Sequence, residues 1–232
     1  MTDGCVTSLE RLSNRVVYFS WAACALGLLT SYFSWLELRA LQSLDPSGPY
    51  SWEVDYIDSD LILIAGVGAL FYLIAFVVAG FLSLRWIYRA NLNAHCLNGD
   101  MSMSPGLNVG WFFVPIATWW KPYEGVREVW QVSADPQSPN SVERPSLLVR
   151  WWTFWLLANI TGTVSFRLQM RANTVGAASL ADTFDVVSGI ALVPATYFFL
   201  LMVRQVTTMQ QRFVGRQDKS EVALAPGSGE GT

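Results

Sequence analysis

The chain is poor in charge. Only 14% of its 232 residues are Asp, Glu, Lys or Arg, where soluble domains run nearer to about a quarter. One histidine, His95, is present, which excludes bis-histidine haem ligation and a histidine-built zinc site. Cysteine is scarce too. Cys5, Cys24 and Cys96 are scattered with no CxxC pair, so no disulfide-stapled scaffold is implied. Cys24 falls inside an apolar run and Cys96 in a segment placed on the cytoplasmic side, so no disulfide is assigned. Cys5 precedes the first apolar run instead of following one, and the N-terminus reads as free of a cleavable signal. The net charge of -3 provides no basic field for nucleic acid. Phosphate loop, nucleophile elbow and metal-ligand helix motifs are missing from the sequence. No catalytic residue, metal or cofactor is therefore assigned, and a non-catalytic protein is expected.

What the chain does have is long charge-free stretches. It is 52% hydrophobic, with a mean hydropathy of +0.32. Four stretches read as transmembrane helices: residues 16–36, 61–84, 147–166 and 186–203. The third is short and bounded by Arg150 and Arg167, which can snorkel. Asp182 or Thr183 suits the N-cap of the fourth. Backbone amides in lipid must be satisfied within their own segment, so these are helices. Residues 1–15 read as a cytoplasmic tail, 16–213 as one membrane domain and 214–232 as a disordered cytoplasmic tail.

A fifth uncharged run, Met101 to Trp120, is punctuated by Pro105, Gly106, Gly110 and Pro115. The positive-inside rule decides how to treat it. If it stays on one face, Arg11, Arg15, Arg85, Arg89, Lys121, Arg127, Arg144, Arg150, Arg204, Arg212, Arg216 and Lys219 share the cytoplasmic side. Only Arg39, Arg167 and Arg171 then lie outside, beside Glu37, Asp45, Glu53, Asp55, Asp58, Asp60, Asp182 and Asp185. If the run crosses instead, this asymmetry is lost. The expectation is an all-α integral membrane protein with four transmembrane helices and a cytoplasmic-side re-entrant or interfacial helical segment over 104–132.

The residues of that segment suit the membrane surface. Pro115 breaks a straight helix. Trp111, Trp119 and Trp120 belong at headgroup level. Pro122 suits the first turn of a new helix, in which Tyr123, Val126, Val129 and Trp130 share one face. That pattern predicts an interfacial helix lying on lipid. Arg85, Arg89, Lys121 and Arg127 are candidate contacts for anionic lipid or a partner, with Trp111, Pro115, Trp119 and Trp120 beside them.

Several stretches carry a resemblance. Arg85-Trp86-Ile87-Tyr88-Arg89-Ala90-Asn91, Ser104-Pro105-Gly106, Val109-Gly110-Trp111-Phe112-Phe113-Val114-Pro115, Trp120-Lys121-Pro122 and Glu128-Val129-Trp130 resemble a family of small multi-span bacterial membrane proteins. It is the domain-of-unknown-function family numbered 4328. The resemblance covers about Leu61 to Phe213. It implies a bacterial inner-membrane location and no activity.

Small residues mark candidate packing faces: Ser20, Cys24, Gly27 and Ser31 in the first span, Ala65 and Ala69 in the second, Gly162 in the third. Intrachain packing is the simpler use for them. The four charge-free runs hold no ionisable residue, which argues against an ion-coupled transporter. His95 with Cys96 reads as a surface turn. The acidic run from Glu53 to Asp60 lacks the order of a calcium loop and reads as a solvated rim. Two functions follow. The first is a binding, scaffold or accessory subunit of an inner-membrane complex, with the bilayer and a membrane protein as partners. The alternative is a lipid- or quinone-handling protein with its site at the broken 106–122 stretch.

Overall fold

A computed structural model describes residues 5–50 and 59–224, without the side chains of 59–62 and 215–224. The acidic residues Glu53, Asp55 and Asp58 lie outside the described residues. Helix α1 spans Glu10–Leu41, α2 Ser59–Leu97, α3 Pro105–Gly110, α4 Lys121–Ala134, α5 Ser146–Gln169 and α6 Val175–Leu224. Short 3-10 turns lie at Trp111–Phe113, Ala117–Trp119 and Pro139–Ser141. Among the described residues there is no strand, only an isolated bridge between Pro49 and Thr174.

Among the described residues, three helices are long and apolar enough to cross a membrane: α1, α2 from Leu63 and α6 to Val214. The chain is thus compatible with a multi-pass membrane protein. Helix α5 has sufficient length at 24 residues, but Arg150, Asn159, Thr161, Thr163 and Arg167 dilute its apolar character. At 50 residues, α6 is about 75 Å long, and a hydrocarbon core of about 30 Å covers only part of it.

Two expectations about α6 are corrected. The helix starts at Val175, so Asp182 and Thr183 are interior residues and not its cap. Thr174 Oγ1 accepts from Ala177 N at 3.3 Å, while the backbone carbonyls of Gly48 and Pro46 accept from Val175 N and Gly176 N at 3.1 and 2.9 Å. These acceptors satisfy first-turn amides. The Thr183 hydroxyl instead donates to Ser179 O at 2.8 Å. At the other end α6 runs to Leu224, well into the tail expected to be disordered. Residues 216–224 contain no glycine or proline, and after Gly215 the next breakers come only at Pro226 and Gly227.

The chain divides into two units. One comprises Val16–Leu82 and Ser146–Leu200 and holds the apolar halves of the long helices. Its packing rests on small residues. A Cβ on Gly27 would lie 2.9 Å from Leu192 Cδ2 and 3.0 Å from Tyr72 Cε2. A Cβ on Gly162 would lie 3.0 Å from Ser188 Oγ. Ser188 donates to Ala158 O at 2.9 Å, and Ser31 to Asp185 O at 3.3 Å. Hydroxyls hydrogen-bonding across helices are normal membrane packing. Gly27, Cys24 and Ser31 are buried, Ser20, Ala65 and Gly162 are half-buried, and Ala69 is exposed. At one end of this unit Leu41, Val175 and Ala178 cluster with Tyr50. Tyr50 donates to Glu37 Oε1 at 2.6 Å, and burial, with Glu37 beside it, pushes the phenol well above its ordinary range.

The other unit comprises Met1–Arg15, Ser83–Pro145 and Leu201–Thr232. Its core contains Trp86, Ile87, Ala90 and Ala94 of α2, Val126, Val129 and Trp130 of α4, and Val203 and Val206 of α6. Here the interfacial expectation for α4 is corrected. The Val126, Val129 and Trp130 face is buried within the unit instead of lying open to lipid. Amphipathicity identifies an apolar face, not what covers it.

Candidate functional site

A buried polar frame holds this second unit together. Gln210, 1% exposed, donates from Nε2 to Ala90 O and Ser133 Oγ, both at 2.9 Å. Asn93, equally buried, donates from Nδ2 to Gln210 Oε1 at 2.9 Å and to Thr7 O at 2.8 Å. Thr7 N returns a bond to Asn93 Oδ1 at 3.0 Å. Trp86 Nε1 donates to Thr207 Oγ1 at 3.1 Å. Buried and satisfied networks of this kind rigidify the body they sit in.

The broken segment is built on that body. Ser104 caps α3, its hydroxyl accepting from Leu107 N at 3.4 Å. The Glu128 carboxylate accepts from Ser102 N at 2.6 Å, Ser102 Oγ at 3.0 Å and Met103 N at 3.3 Å. The loop leading into the segment is thereby tied to α4. Asn108 is wholly buried with a side chain that finds no hydrogen-bond partner, and it lies against Gly125 of α4.

Between α3 and α4 the backbone turns sharply. Ala117 N donates to Pro115 O at 2.8 Å, which makes Ile116 the central residue of a γ-turn. Its φ of 69° is positive, and its ψ is -58°. That form of γ-turn is rare and strained, and a β-branched residue makes it an outlier. Thr118 braces the turn, its amide donating to Val114 O at 3.0 Å and its hydroxyl to Phe112 O at 3.2 Å.

The result is an exposed apolar display. Phe113 and Ile116 are each 72% exposed, and Leu107, Val114, Trp119 and Trp120 are exposed with them. Concentrations of exposed large apolar residues mark surfaces that meet a protein or a membrane. Residues 101–120 contain only a six-residue helix and two 3-10 turns, so no helix long enough to cross a bilayer forms there.

The structure sorts the sequence candidates. Trp111 is half-buried, while Pro115, Trp119 and Trp120 are exposed along the display. Lys121 is half-exposed and paired with Glu124 at 2.8 Å, which offsets its charge. Arg127 is half-buried, with a buried Nε that has no hydrogen-bond partner. Arg85 and Arg89 are exposed on α2. A cavity of about 290 Å³ lies elsewhere, among the long helices. Tyr72, Asn159, Thr163, Ser188 and their apolar neighbours on α2, α5 and α6 line it.

Sequence reasoning missed three features. His95 and Cys96 do not form a surface turn; they occupy the last turn of α2, where His95 Nδ1 meets Asn91 O at 3.0 Å. Cys96 is disulfide-bonded to Cys5, contrary to the expectation of no disulfide. A separation of 91 residues gave no hint of it. The partners of Asn93 and Gln210 and the burial of Asn108 were equally invisible, although polar residues in so apolar a chain were a signal that something pairs or encloses them.

No curated protein and no solved structure matches the chain. One family pattern, described as "Domain of unknown function (DUF4328)", matches residues 58–208, a range that takes in α2, the strained turn, α4, α5 and most of α6. On that match, over more than half its length, the chain belongs to the DUF4328 family of unknown function.

Proposed function

We propose that this is a non-catalytic integral membrane protein of a bacterial inner membrane, serving as a scaffold or accessory subunit for a membrane-protein partner. In this reading α5 supplies a fourth crossing, and the segment before α1, residues 85–150 and the chain after 203 face the cytoplasm. The excess of Arg and Lys in those three stretches supports that orientation. One observation carries the binding role. A strained γ-turn at Ile116 holds two large apolar side chains, Phe113 and Ile116, exposed on a hydrogen-bonded body. Strain of this kind persists where surrounding structure enforces it, and it concentrates at sites of recognition.

A second reading, lipid or quinone handling, draws on a different observation. The cavity of about 290 Å³ combines Asn159, Thr163 and Tyr72 with apolar walls, which is near the small end of ligand-pocket sizes. Asn159 Nδ2 donates to Trp155 O at 2.8 Å, leaving its carbonyl oxygen to accept from a ligand hydroxyl.

Native mass spectrometry in mild detergent separates the two. The first reading expects a stoichiometric protein partner that is lost when Phe113→Ser and Ile116→Ser are combined, with the melting temperature unchanged. The second expects one specific lipid or quinone, lost on Asn159→Leu. A bare chain that carries only bulk lipid contradicts both.

A further inference from the structure

We propose that Cys5 and Cys96 are a redox-active pair, a thiol–disulfide latch that fastens the segment ahead of α1 to the end of α2 when oxidants reach this face of the membrane. The geometry has two independent parts. The sulfurs are bonded, with Cα atoms 5.9 Å apart, a normal separation for a disulfide. The segment is also seated without that bond. Thr7 N and Thr7 Oγ1 donate to Asn93 Oδ1 at 3.0 and 3.3 Å, and Asn93 Nδ2 donates to Thr7 O at 2.8 Å. Val6 and Leu9 are buried on either side, and Ser8 Oγ donates to Gln211 Oε1 at 3.1 Å.

These non-covalent contacts keep Cys5 close to Cys96 after the bond opens. The pair can therefore cycle without losing its place in the fold. Cys5 is exposed and Cys96 half-buried, so a small thiol or disulfide can reach them. Cys24 is buried and free and takes no part.

The redox assignment rests on the cytoplasmic orientation proposed above. In that compartment thiols are held reduced, and a disulfide there is transient. Oxidation proceeds by exchange with a low-molecular-weight disulfide. One protein thiolate attacks it, releases one small thiol and forms a mixed disulfide; the second thiolate then displaces the other small thiol. Two protein thiols become one disulfide, and two small thiols leave. Reduction is the same exchange in reverse. Once closed, the bond adds a covalent tie to a segment otherwise held by a few hydrogen bonds and two apolar side chains, so its local opening becomes rarer.

The test uses the full chain with Cys24→Ala, expressed in cells and quenched with acid. A maleimide mass tag counts free thiols. Diamide serves as the oxidant; its azo group takes up the two electrons and two protons that the thiols lose. The latch predicts two tagged thiols at rest, none after diamide, and both again after dithiothreitol. Cys5→Ser should leave one tagged thiol throughout. Limited proteolysis before α1 should be several-fold slower in the oxidised form. A bond present at rest and untouched by the cell's thiols, or two thiols that never pair, would overturn the latch. The orientation is read separately, by labelling Cys96 in a Cys5→Ser, Cys24→Ala chain with a membrane-impermeant maleimide. Labelling in inverted vesicles supports the cytoplasmic face, and labelling in right-side-out vesicles refutes it, whatever the redox result.

Discussion

Asn108 and Gly125 are matched across the α3–α4 contact. The carboxamide of Asn108 fills the space that a side chain at 125 would need, and a Cβ there would collide with Asn108 Oδ1. The broken segment is thus seated on α4 by one residue's bulk and another's lack of it. Gly125→Ala should lower stability by about 1–3 kcal/mol, the usual cost of overpacking. Thermal unfolding in detergent measures it. Combining Gly125→Ala with Asn108→Ala should recover most of the loss, because contacting residues couple. Equal loss in the single and double variants would mean the two do not share this space.

Ile116 carries backbone strain that glycine would relieve. Glycine takes a positive φ at no steric cost. Ile116→Gly should therefore leave the melting temperature unchanged or raise it, by up to about 1 kcal/mol of stability. The same change removes an exposed apolar side chain, so partner retention in mild detergent should fall. A variant both less stable and fully partner-bound would contradict the role given to this turn.

Gln210 and Asn93 form one network with Thr7, Ala90 and Ser133. Gln210→Ala strands several buried groups, each costing about 1–3 kcal/mol when left unsatisfied. Asn93→Ala should also free the segment before α1 for proteolysis. The double variant should cost less than the two single changes together. Strict additivity would show that the two side chains act independently.

Much of the helical architecture was legible from charge-free runs, because burying backbone in lipid leaves helices as the solution. Pro105, Gly110 and Pro115 likewise announced that 101–120 would not form one long helix. What the sequence hid were relationships between distant segments. Nothing local to Cys5 points to Cys96, and nothing in the α4 pattern says whether protein or lipid covers Val126 and Trp130. Small-residue spacing had the same ambiguity, since it serves partner and intrachain packing alike.

Glycine substitutions resolve that last ambiguity. Gly27 is enclosed by Leu192 and Tyr72, whereas a Cβ on Gly66 would meet nothing within 4 Å. Gly27→Leu should disrupt the fold itself, reducing the yield of extractable protein. Gly66→Leu should leave extraction and melting unchanged. If Gly66→Leu nevertheless loses the partner, the exposed face of α2 belongs to the interface.

Asp182 is 3% exposed, and its Oδ2 has no hydrogen-bond partner. A buried carboxyl is costly whether it ionises there or is held protonated at neutral pH. Asp182→Asn should raise the melting temperature at neutral pH. A fall would show that the carboxyl makes a contact that the amide cannot replace.

The most direct test of the account is the sidedness of the broken segment. In a chain carrying Cys5→Ser, Cys24→Ala and Cys96→Ser, single cysteines can be placed by Ser8→Cys, Ser43→Cys, Ser141→Cys, Arg171→Cys and Arg212→Cys, then probed with a membrane-impermeant maleimide. Positions 8, 141 and 212 should label in inverted vesicles, and 43 and 171 in right-side-out vesicles. If 141 labels from the side opposite to 8, the 101–120 segment crosses the membrane, and both the four-crossing architecture and the cytoplasmic display at Ile116 are wrong.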